Sequence, residues 1–103
     1  MYKICFYTPE DHAEKIKTAM FAEGAGKIGE YGCCAWQTLG QGQFMPLENS
    51  NAFIGDKNKL EKIPELKIEM VCEEKYIHAV INALKNTHPY EEPAYQVSHF
   101  ETF

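Results

Sequence analysis

His88-Pro89-Tyr90-Glu91-Glu92-Pro93 is the segment of this 103-residue chain richest in reactive groups. One imidazole and two carboxylates fall within five residues, and the prolines lower the entropy of holding them in place. Two chemistries fit. His88 with Glu91 or Glu92 is a candidate site for a divalent metal. The same groups could form an acid–base pair in a cleft. The structural alternative is a rigid corner between a helix and a strand. There His88 caps the helix, Tyr90 packs, and one glutamate accepts backbone hydrogen bonds. Prolines around a charged turn also suit a sheet edge shielded from stray pairing.

A second motif is Gly24-Ala25-Gly26-Lys27-Ile28-Gly29, which matches GxGxxG. A dinucleotide fingerprint needs a strand before it and a helix after it. Here the apolar spacing puts a helix before and a strand after. Its backbone amides could instead form a small anion nest. The glycines could equally serve positive φ and close packing. Gly24, Gly26, Gly29 and Tyr31 therefore join His88, Tyr90, Glu91 and Glu92 as candidate ligand contacts, and no catalytic residue is assigned. Cys5, Cys33, Cys34 and Cys72 make no CxxC pair, so reduced thiols in a cytoplasmic protein are expected. Ser50 and Ser98 lack the glycines of a nucleophile elbow. His12, His78 and His99 show no metal-ligand spacing.

These residues need elements to position them. Residues 2–7 alternate as a strand, with Tyr2, Ile4 and Phe6 on one face. Thr8-Pro9-Glu10-Asp11 reads as a helix start, and Gly24 as its stop, giving a helix over about 9–23. Residues 24–32 carry four glycines and form a long turn-rich loop. Cys33 to Leu39 reads as a strand, which would place Cys34 and Trp36 on one face, with Trp36 filling a core or an interface. Gly40 and Gly42 then break the pattern. Residues 47–64 are expected to be a loop with short strand pieces. Leu66, Ile68, Met70 and Cys72 alternate in the clearest strand, 65–72. Tyr76, Ile77, Val80, Ile81 and Leu84 stripe a second helix that His88-Pro89 ends. A last strand covers about 93–100. Strand, helix, strand, strand, helix, strand is an α+β order: the ferredoxin-like βαββαβ sandwich, an antiparallel sheet with both helices on one face.

The length allows a single domain, 1–103, burying roughly 60–70% of its unfolded surface. All ten basic residues are lysine and the net charge is −5. Nucleic-acid binding through a basic face is therefore not expected, and a bidentate guanidinium clamp is impossible. No apolar run is long enough to span a membrane, and the N-terminus is too polar-interrupted for a signal peptide. Phe44, Pro46, Phe53, Phe100 and Phe103 sit in loops or near a terminus, where they can meet neighbouring subunits.

Three segments together resemble a known family: Gly24 to Tyr31 with Cys34-Ala35-Trp36, Gly40 to Pro46, and His88 to Tyr95. They resemble the inserted domain of the Nif-three-like, YqfO family, whose larger members surround a dinuclear metal centre. The resemblance implies a CutA- and PII-like fold and a homo-oligomer, commonly a trimer. It transfers no metal ligand, since those lie in flanking halves that no segment here matches. The expectation is a non-catalytic oligomeric binding or regulatory module for a small-molecule ligand. The glycine loop and the His88 corner are then expected near one another, at a subunit cleft. The alternatives are a metal-dependent hydrolase, or a subunit of one, using His88 and Glu91 or Glu92, and a structural domain docking on a larger protein partner.

Overall fold

The computed structural model describes all of residues 1–103. Four strands form one antiparallel sheet: β1 (Tyr2–Thr8), β2 (Trp36–Phe44), β3 (Glu61–Cys72) and β4 (Tyr95–His99). Their order is β2-β3-β1-β4. Helices α1 (Ala13–Ala22) and α2 (Ile77–Thr87) are each entered through a 3-10 turn. The expected element order and α+β class are both found.

Alternation makes the core. Ile4 and Phe6 of β1 and Ile68 and Met70 of β3 share the face toward the helices and are fully or almost fully buried. Ile16 and Met20 of α1 and Val80 and Leu84 of α2 meet them at helical spacing. The opposite face carries Lys3, Cys5 and Tyr7 of β1 beside Val71, Glu69 and Lys67 of β3. No element of the chain lies across that whole face.

Several boundaries differ from the sequence reading. Cys33 lies in a turn with φ 55°, and β2 starts at Trp36 and runs through both glycines to Phe44. Cys34 and Trp36 therefore do not share a strand face, and Trp36 is 69% exposed within the chain. β3 begins four residues before the expected Glu65, so residues 45–60 hold no strand. Pro64 fits inside β3 because β1 pairing ends at Thr8–Leu66, leaving β3 only one neighbour there. The β2–β3 hairpin consequently projects past the end of β1. Thr8 does not cap a helix; its hydroxyl donates to the Pro9 carbonyl at 3.1 Å. Gly24 does end α1, at φ 117°.

Candidate functional site

The corner after α2 is built around His88, which is 7% exposed. Its backbone N–H closes the helix on Leu84 O at 2.9 Å. The Tyr90 backbone N–H donates to Nδ1 at 3.1 Å. That leaves the proton on Nε2, which donates to Tyr7 O at 2.7 Å. Burial holds this imidazole below its ordinary pKa, against the opposing pull of the Tyr7 carbonyl. His88 thus ties α2 to the end of β1 and orients Tyr90.

Tyr90 reaches across to β3, where its hydroxyl donates to Glu65 Oε2 at 2.7 Å. Burial, and then the Glu65 carboxylate, push the phenol well above its ordinary pKa. Gly42 makes this contact possible: a Cβ there would overlap the Glu65 carboxylate. The loop after β2 folds back over the same place. Glu91 Oε1 accepts the Asn51 N–H at 3.0 Å. Phe53 meets the rings of His12 and Tyr90 at 5.5 and 6.4 Å.

Between this loop, the open sheet face and the corner lies a cavity of about 920 Å³. Tyr90, Glu91 and Glu92 line it, as do Tyr7, Glu65 and Lys67 from the sheet. Phe44, Pro46, Phe53 and Ile54 supply its apolar walls. The candidates from the last corner are thereby brought together, with His88 behind them as support.

The glycine loop is elsewhere. The Gly26 N–H donates to Val71 O at 2.8 Å, and Gly24 packs under the Tyr76 ring. Val71 lies six residues along β3 from Glu65, about 20 Å at strand spacing. Within one chain the two motifs therefore sit toward opposite ends of the sheet, not side by side as expected. The first amides of the loop are not free for an anion nest. The Gly24, Ala25 and Gly26 amides already bond Phe21 O, Met20 O and Val71 O. Gly29 and Tyr31 belong to a tight exposed turn closed by the Ile28–Tyr31 pair.

The corner does not fit a metal. Both His88 nitrogens are engaged by backbone, and no group of three or more His, Cys, Asp or Glu side chains is placed to hold an ion. Glu65, Lys67 and Gly42 escape sequence reasoning. Alternation puts Lys67 on the outer face but gives no sign of a pocket. The Glu65–Gly42 approach is diagonal across two strands and leaves no local pattern.

No family model matches the chain. Individual proteins do. Over 97 residues the chain is 40% identical to a "GTP cyclohydrolase 1 type 2 homolog" of Halalkalibacterium halodurans, covering 94% of this chain and 26% of that one. The Bacillus subtilis homolog of the same description is 41% identical over 95 residues, covering 92% and 26%. A crystal structure of a Bacillus cereus protein related to NIF3 superposes with a TM-score of 0.84 at 34% identity, covering 98% of this chain and 26% of that one. Over nearly all of its length the chain is thus similar to one segment of these larger proteins. It spans about a quarter of the length of the curated relatives it matches. CutA of Archaeoglobus fulgidus superposes over all of this chain and 87% of its own, with a TM-score of 0.71 at 17% identity. GlnK of Bacillus subtilis gives 0.60 at 16% identity, covering 94% and 82%. Those two likenesses establish the fold, which is CutA- and PII-like as expected. No helix is long and apolar enough to cross a membrane.

Proposed function

We propose that this chain is a Nif-three-like, non-catalytic binding or regulatory module that works as a homo-oligomer, a trimer by family likeness. The observation that carries it is the cavity of about 920 Å³ formed where Tyr90, Glu91 and Glu92 meet the sheet and the returning loop. A concave, mostly apolar site with a few convergent polar groups is the usual form of a small-molecule site. Trp36, Tyr31 and Leu39 are 69%, 75% and 60% exposed, and such apolar exposure suits contact between subunits. Sedimentation velocity tests the assembly: a species of three times the 11.8 kDa chain mass supports it, and a monomer at all concentrations rejects it. A thermal-shift screen of metabolites tests the site. Stabilisation that disappears in Tyr90→Ala is the expected result.

A second reading, a domain that docks on a larger partner, is favoured by the chain's matching only about a quarter of its relatives. A pull-down that recovers no partner beside a defined small-molecule ligand would reject it. The relatives' description as cyclohydrolase homologs prompts a metal-dependent hydrolase reading with His88, Glu91 and Glu92. It would require His88 to give up both of its backbone partners.

A further inference from the structure

Two phenylalanine rings flank Tyr90 in the cavity, and Tyr90 in turn touches the Glu65 carboxylate. Phe44 and Phe53 stand 6.0 and 6.4 Å from the Tyr90 ring, centroid to centroid, at tilts of 49° and 47°. Neither phenylalanine is therefore stacked face to face on Tyr90, and all three line the cavity. Glu65 lies against Tyr90, with Oε2 held by the phenol at 2.7 Å. Four carboxylates line the cavity against one ammonium, Lys67. Of these, Glu69 is neutralised by Lys3 at 2.6 Å. A nucleoside triphosphate would bring several negative charges into this field, with no arginine anywhere in the chain to receive them. A positive charge meets the opposite situation. Tilted rings offer their electron-rich faces to a cation, and the nearby carboxylate adds its counter-charge.

We propose that the cavity receives an organic cation, an ammonium carried on an apolar or aromatic body, with Phe44, Phe53 and Tyr90 around the charge and Glu65 as its counter-ion. This rests on the reading of the cavity as the binding site. The room available, about 920 Å³, exceeds what a bare ammonium needs, so the body fills the space under Pro46 and Ile54.

The full chain, labelled with nitrogen-15, would be titrated with benzyltrimethylammonium, with 3-phenylpropionate of similar size, and with magnesium–ATP. The ammonium should shift the amide signals of Phe44, Phe53 and Tyr90 saturably, at least tenfold more tightly than either anion. Glu65→Gln keeps an acceptor for Tyr90 but removes the charge, and should weaken ammonium binding roughly tenfold. Phe53→Leu, at an exposed loop position, should also weaken it and guards against a folding artefact of the first variant. An anion that binds as tightly as the ammonium overturns the cation assignment and leaves the binding site standing. So does zinc alone shifting these signals at lower concentration than the ammonium. If no probe moves them, the site itself is rejected.

Discussion

The Tyr90 hydroxyl and the Glu65 carboxylate, 25 residues apart in sequence, meet at 2.7 Å and join the last corner to the β2–β3 hairpin. Tyr90→Phe should cost about 1.5–3 kcal/mol in urea unfolding, the range for a hydrogen bond to a charged group. Gly42→Ala should displace Glu65 and break the same bond. The two substitutions should therefore be non-additive in a double-mutant cycle. Additive losses would mean that Gly42 does not hold Glu65 in place.

The Tyr90 phenol also links stability to alkaline pH. Its pKa is raised in the fold above the ordinary value of 10. The stabilisation is thus complete below pH 10 and is lost as pH climbs toward the folded value. Absorbance at 295 nm should show a late-titrating phenol in the wild type that is lost in Tyr90→Phe.

His88 acts in the opposite pH range. Its folded pKa lies below 6.5 because the ring is buried. The neutral ring is preferred, so its contribution is present above pH 6.5 and disappears as pH falls through the folded value. Protonation would also place a donor at Nδ1, facing the Tyr90 N–H. His88→Ala should cost about 2–4 kcal/mol at pH 7.5, from the cavity left and two unpaired backbone groups. The loss should be smaller at pH 5. Urea midpoints at the two pH values give the comparison, and an equal loss at both would contradict the burial of a neutral ring.

Two glycines of the GxGxxG segment should respond differently. Gly26 has φ 77°, and a Cβ would press on the Phe21 ring and the Cys34 carbonyl. Gly26→Ala should cost about 2–4 kcal/mol, strain and overpacking together. Gly29 has φ 57° with open space around it, so Gly29→Asn should cost a few tenths of a kcal/mol, since asparagine tolerates this conformation. Equal melting temperatures for the two variants would count against a packing role for Gly26.

The thiols should separate by exposure. Cys33 is exposed, whereas Cys5 and Cys72 are buried, and burial pushes the Cys72 thiol up. Under native conditions Ellman's reagent should modify Cys33 first and leave Cys5 and Cys72 until unfolding. Early modification of Cys72, read by peptide mass, would be incompatible with its place in the core.

Element order is legible in the sequence because the chain's apolar spacing changes cleanly between period two and helical spacing. Alternation alone assigns Leu66, Ile68, Met70 and Cys72 to the core, and all are buried. β2 reads too short because Gly40 and Gly42 look like breakers in one dimension. Across the sheet, Gly42 is small because Glu65 lies over it. The His88 segment reads as a corner or a site, and the fold makes it a corner whose next residues line a cavity. The position of the glycine loop is not legible, because proximity depends on which end of β3 each loop reaches. Residue type suggests the His88 ring as a ligand. Only the fold brings up the two backbone groups that occupy both of its nitrogens.

The overhang of the β2–β3 hairpin has a consequence for how this architecture can vary. Beyond Thr8–Leu66 the hairpin strands pair only with each other. Residues can be added to or trimmed from both strands two at a time without changing which side chains look toward α1 and α2. Reach and tip chemistry are thereby uncoupled from the hydrophobic body, so one scaffold can carry arms of different span.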